Sequence, residues 1–156
     1  MDSKITLKVQ EDAVEMKNSK QLIAFLVDDL DEKNMLAFKA FVKSLDDVHW
    51  NHGSPYFIHE IDEESCTQKD DIPLVTLGCG IFIPENPESS IGIEVASLND
   101  VIQLIDHLKR YSREMMAEIE LELDGDYIGT IEDGDSTSGV FEGLISPWKK
   151  LIQDLK

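Results

Sequence analysis

The segment Glu118-Ile119-Glu120-Leu121-Glu122-Leu123-Asp124 alternates carboxylate and aliphatic side chains without a break. Only an extended backbone makes use of that pattern, because successive side chains of a strand point to opposite faces of a sheet. Ile119, Leu121 and Leu123 then enter a core. Glu118, Glu120, Glu122 and Asp124 stand on the other face, one about every 6.7 Å. Asp124-Gly125-Asp126 is a tight hairpin signal, and Tyr127 to Ile131 is the returning strand. A chain built around this hairpin needs an antiparallel sheet with one apolar face and one face that is either wet or matched by opposite charge.

The rest of the chain supplies partners for that sheet. Lys4 to Gln10 has period two and predicts an edge strand, its lysines on the solvent side. Leu22, Ile23, Leu26, Val27 and Leu30 recur at three and four residues, which predicts a helix with Ser19 as its cap. A second helix presents Met35, Phe38, Phe41, Val42 and Leu45 inward. After a loop from Val48 to Pro55, Tyr56 to Ile61 is expected as a strand, followed by an acidic connector from Asp62 to Asp71. Leu74 to Ile83 predicts a central strand with a bulge at Gly78 and Gly80. Ile91, Ile93 and Val95 alternate as a third strand. Ser97 to Asp100 has the form of a capping box for a helix carrying Val101, Ile102, Ile105 and Leu108. Ser146-Pro147 opens a last helix with Trp148, Leu151, Ile152 and Leu155. The expected fold is α+β, an antiparallel sheet packed with helices in the order β-α-α-β-β-β-α-β-β-α. With 156 residues, 42% of them hydrophobic, and no linker-like stretch, residues 1–156 are expected to form a single acidic domain.

Charge then narrows the function. The chain carries 32 acidic and 14 basic residues, a formal net charge of −18, and from Glu114 to Trp148 it has no Lys or Arg at all. Such a field repels nucleic acid and anionic lipid and speeds encounter with basic proteins. No apolar run is long enough to span a bilayer, and the opening residues do not form a secretory leader, so a cytoplasmic location with free Cys66 and Cys79 is expected.

No catalytic signature emerges. The chain has no nucleophile elbow, phosphate-binding loop or dinucleotide fingerprint. Asp124 to Asp135 has acids at positions one, three and twelve of a calcium loop and glycine at the sixth, but Ile128 stands where an oxygen ligand is required. His49, His52, His59 and Cys66 match no complete zinc set. The expectation is a protein with no catalytic residues, no metal and no cofactor, and with neither nucleic acid nor membrane as partner. The partner-binding residues are expected first in the hairpin: Glu118, Glu120, Glu122, Asp124 and Asp126, extended by Glu132, Asp133 and Asp135. A second group lies in the connector: Glu60, Asp62, Glu63, Glu64, Asp70 and Asp71.

The C-terminal stretch, Asp124-Gly125-Asp126-Tyr127-Ile128-Gly129 followed by Glu142-Gly143-Leu144-Ile145-Ser146-Pro147-Trp148, resembles the ends of small acidic bacterial toxin-immunity proteins. That resemblance implies a cytoplasmic, catalytically inert inhibitor that neutralises a cognate toxin, often a basic nuclease delivered by contact-dependent growth inhibition, by direct protein binding. After the first strand, and with the first two helices counted as one interrupted helix, the expected order α-β-β-β-α-β-β-α is similar to that of class I type III secretion chaperones, which implies binding of an effector segment instead. A DNA-mimic inhibitor of a nucleic-acid enzyme is the third possibility. One carboxylate per about 6.7 Å along a strand is sparse, however, against a duplex charge about every 1.7 Å.

Overall fold

A computed structural model describes residues 19–27, 31–62 and 74–156. The strand expected over residues 4–10 and the connector residues after Asp62 lie outside the described residues. The elements are β1 (Lys20–Leu26), α1 (Glu32–Ser44) running into a 3₁₀ turn (Leu45–Asp47), β2 (Tyr56–Asp62), β3 (Leu74–Ile83), α2 (Ile91–Met115), β4 (Ile119–Leu123), β5 (Asp126–Glu132), the two-residue β6 (Asp135–Ser136), α3 (Ser138–Val140), a π turn (Phe141–Ile145) and α4 (Ser146–Leu155). The six strands form one sheet in the order β2-β3-β1-β4-β5-β6, every neighbouring pair antiparallel. The α+β class is as expected.

The hairpin is formed as its sequence requires. Asp124 and Gly125 both take positive φ, 54° and 93°, between β4 and β5, the geometry for which glycine and aspartate are favoured. Ile119 and Leu121 are fully buried. Together with Leu22 and Ala24 of β1 and with Leu77, Cys79 and Ile81 of β3 they make the inner face. Onto it α2 lays Val101, Leu104, Ile105 and Leu108, while α1 lays Phe38 and Val42. Phe38 meets Tyr111 of α2 edge-on at 5.4 Å, locking the two helices together. Asp31 caps α1 by accepting from the backbone N–H of Asn34 at 2.8 Å.

Several expectations are corrected. The stretch expected as a helix from Leu22 is the central strand β1, and its apolar run is explained by burial on two sides. Leu22, Ala24 and Leu26 face the core, and Ile23 and Phe25 occupy the other face, so a strand apolar on both sides mimics helical spacing. Ile91, Ile93 and Val95 are not a strand but the first turns of α2, a 25-residue helix capped by Ser90, whose side chain accepts from the N–H of Ile93. Ser97 and Asp100 therefore lie inside that helix and cap nothing at its start. β3 runs unbroken in register with both neighbours, and the bulge falls between Leu121 and Glu122 of the β4–β5 pair instead. Ser146 is already helical, because α3 and the π turn lead into α4 without interruption. Among the described residues two strands, β2 and β3, lie between α1 and α2, where the chaperone-like order α-β-β-β-α has three.

Candidate protein-docking face

The helices occupy one face of the sheet, and the opposite face is ordered by strand register. Tyr56, Gly80, Ile23, Glu122 and Tyr127 follow one another across β2, β3, β1, β4 and β5. In the next row come Ile58, Gly78, Phe25, Glu120 and Thr130. A third row begins with Glu60 opposite Thr76 and ends where the Val27 N–H donates to the carbonyl of Glu118. A buried apolar cluster of Tyr56 and Ile58, with Ile23, Phe25 and Phe82 half-buried against it, is thus bounded by Glu60 on β2 and by Glu118, Glu120 and Glu122 along β4.

Gly78 and Gly80 shape that centre. A Cβ on Gly80 would lie 2.8 Å from the Tyr56 hydroxyl and 2.9 Å from its ring, and one on Gly78 would lie 2.3 Å from the Ala24 backbone oxygen and 3.1 Å from the Phe25 ring. Gly80 thus leaves room for the Tyr56 ring, and Gly78 chiefly for the close backbone of β1. Tyr56 stacks on Phe82 at 5.1 Å, and its hydroxyl donates to Gln21 Oε1 on β1. Burial, with a smaller contribution from Cys79, holds the Tyr56 hydroxyl well above the usual tyrosine range. Glu60 is likewise raised by desolvation.

Charge divides between the two layers. Among the described residues, Lys33, Lys39, Lys43, Lys109, Arg110, Arg113, Lys149 and Lys150 belong to helices, and Lys156 follows α4. Lys20 lies in the sheet but opposite Ile83, in the register of the inner face. No described Lys or Arg stands in the outward register of β1 to β5.

The expected binding residues distribute unevenly. Glu118, Glu120, Glu122 and Glu60 share the outer face; their separation in sequence concealed that β2 and β4 flank the same patch. Glu132 and Asp135 pair across β5 and β6 at its far margin. Asp124 and Asp133 are turn residues with positive φ, and Asp126 registers with Leu123, on the helix side. Near Asp133 the local charge is not uniformly negative: the Arg113 guanidinium covers Gly134, so closely that a Cβ there would lie 2.6 Å from Nε. Asp62 ends β2, and Glu63, Glu64, Asp70 and Asp71 lie outside the described residues. The sequence hides the aromatic centre because β1, apolar on both faces, has helical spacing; the paired glycines of β3 are its visible trace.

Two other polar arrangements are well defined. Asp100, 3% exposed, accepts from the backbone N–H groups of Asn51 and His52 at 2.9 Å each, which clamps the His49–Gly53 loop to α2. Gln103 adds a bond to the His49 carbonyl, and the Trp50 indole donates to the Leu45 carbonyl. Elsewhere a groove of about 520 Å³ opens between the β3–α2 loop and α4. There Glu94 accepts from the Trp148 indole at 2.7 Å and from the Asn86 amide at 2.9 Å.

Asp124 to Asp135 forms β5 and its two bounding turns, an extended path instead of a loop wrapped around an ion. Among the described residues no three His, Cys, Asp or Glu side chains converge to hold a metal, and no helix is long and apolar enough to cross a membrane. Cys79 is fully buried in the core, its thiol pushed up to about 12 by desolvation. Comparison with protein-family models, with curated proteins and with solved structures gives no match.

Proposed function

We propose that this chain is a non-catalytic, protein-binding inhibitor of the immunity type, which neutralises a cognate basic toxin by direct contact through the outer face of its sheet. The observation that carries this reading is the division of charge among the described residues: cations on the helical layer, and on the opposite face carboxylates around a largely buried aromatic and aliphatic centre. An interface with an apolar core and a charged rim gains affinity from the first and encounter rate from the second. A nucleic-acid partner is disfavoured by the same field. The decisive experiment is co-expression of the chain with a toxin domain encoded beside it. Protection of growth, lost when Glu118, Glu120 and Glu122 are replaced together by glutamine, supports the reading. Protection that survives those replacements moves the interface elsewhere. With the purified pair, added salt should slow association strongly and change dissociation little.

A further inference from the structure

The groove between the β3–α2 loop and α4 carries opposite charges on two different walls. We infer that it binds an apolar zwitterion, a small molecule with an ammonium group, a carboxylate and an apolar body, as in an apolar amino acid or a short apolar peptide. The sheet supplies one wall through Lys20, Ile83 and Leu123, and the helical layer supplies the other through Glu94, Leu144 and Trp148. A volume of about 520 Å³ falls within the range of small-molecule sites, about 300–1,000 Å³. The groove is open, since Lys20, Glu85, Pro87 and Leu151 along it are all exposed, Leu151 at 47%. Leu144 enters it from the π turn Phe141–Ile145, a backbone irregularity frequent at functional sites.

The polar groups select the ligand. Both oxygens of Glu94 accept from neutral donors, Oε1 from the Trp148 indole and Oε2 from the Asn86 amide, so the carboxylate is fixed in direction, keeps its charge and has lone pairs to spare. Asn86 is itself held, its amide donating to the Ser90 carbonyl at 2.7 Å and its carbonyl oxygen accepting from the Ser90 N–H at 3.0 Å. An ammonium placed at Glu94 therefore meets a preset acceptor and makes charge-assisted hydrogen bonds. Lys20 stands on the sheet wall, in the inner-face register opposite Ile83, and offers the anionic end of the ligand its partner. A ligand that is only cationic is repelled by Lys20, and one that is only anionic by Glu94 and Glu85. A zwitterion satisfies both walls, with its apolar body against Leu123 and Leu144.

The test uses probes that share a phenyl group: L-phenylalanine, L-phenylalanyl-L-phenylalanine, phenethylamine, which lacks the carboxylate, and 3-phenylpropanoate, which lacks the ammonium. Binding to the full chain is measured by calorimetry and mapped by amide and indole N–H shifts. The inference expects a zwitterion to bind at least about tenfold more tightly than either singly charged probe and to shift the Trp148 indole and the Leu123 and Leu144 amides. Preference for the dipeptide identifies a peptide as the ligand, and the reverse identifies an amino acid. Lys20→Met should weaken the zwitterion about tenfold without weakening phenethylamine, and Glu94→Gln should weaken it similarly without weakening 3-phenylpropanoate. Circular dichroism checks the fold of each variant. Phenethylamine or 3-phenylpropanoate binding as tightly as the zwitterions overturns the ligand class. Shifts confined to the outer sheet face overturn the site, and a Kd above about 10 mM for both zwitterions overturns the inference whole. None of these side chains belongs to the Glu118, Glu120 and Glu122 ladder, so growth protection can hold or fail without deciding this result.

Discussion

The two faces of this sheet are built from the same strands and solve different problems. On the inner face the side chains interlock with helices: Leu22, Leu121 and Ile131 are fully buried, and Gly129 is where α3 comes closest, a Cβ there falling 2.4 Å from a Val140 methyl. On the outer face glycine makes room for neighbouring rings, and carboxylates occupy positions where a second helical layer would need apolar side chains. Alternation along a strand lets the two faces carry different side chains, although Tyr56 and Ile58 show that the outer face also has buried positions.

The largest test of that division sets Leu121→Ala against Ile23→Ala. Leu121 has no exposed surface, so its truncation should cost about 2–5 kcal/mol by transfer and cavity terms. Ile23 is half-buried and should cost about 1 kcal/mol. Urea unfolding of both variants measures the difference, and equal losses would mean that the outer face is as closely packed as the inner.

Next in size is the clamp on the helical side. Asp100→Ala removes a carboxylate that accepts two backbone N–H groups and should cost about 2–3 kcal/mol, with part recovered in Asp100→Asn. Trp50 fluorescence should report loosening of the His49–Gly53 loop before global unfolding. Unchanged emission and stability would show that water replaces the carboxylate at no cost.

Gly80→Ala probes the outer face directly. The added methyl meets the Tyr56 ring, and about 1–3 kcal/mol should be lost. Combining it with Tyr56→Leu removes the obstacle, so the double variant should lose less than the sum of the two single changes. Strict additivity would break the argument that the glycine exists for the ring.

Much of this design was legible in the sequence, and the failures share a cause. The β4–β5 hairpin, α1 and the extent of β3 followed from strict periodicity and turn chemistry. β1 did not, because a strand apolar on both faces loses the alternation that marks a strand, and Leu22, Ile23 and Leu26 then imitate a helix. At Ile91 to Val95 the alternation was real, but Ile93 and Val95 are each 37% exposed on the first turns of α2, so the pattern reflected no burial. Asp100 had the spacing of a capping box and is used by a loop whose Asn51 lies 49 residues earlier in the chain, a contact that no local pattern encodes. The acidic half of the candidate site was visible in β4. Its aromatic half required knowing which strands are neighbours.

The smallest expected effects are in the pH dependence, where the two layers should respond in opposite directions. Glu60, on the outer face, has its carboxyl raised by desolvation. The folded state bears that penalty while the group is charged and sheds it as pH falls through the raised value, so Glu60→Gln should stabilise the protein at neutral pH and lose the advantage in acid. His107, on the helical side with its ring 6.4 Å from that of Trp50, is lowered by desolvation first and by Arg110 second, against an opposing pull from Asp106. The unfolded chain takes up that proton first, so stability should fall as pH drops below the ordinary histidine value of about 6.5. His107→Gln should flatten this decline without affecting the Glu60 step. Urea midpoints of the wild type and both variants, followed from about pH 7 to about pH 4, separate the two responses, because the histidine decline develops below about 6.5 whereas the Glu60 gain is complete only near the ordinary glutamate value of about 4.3. A bound basic partner should reverse only the first, since a cation beside Glu60 favours the charged carboxylate and pulls its titration back down. If partner binding instead displaced the His107 titration, the docking surface would belong to the helical layer.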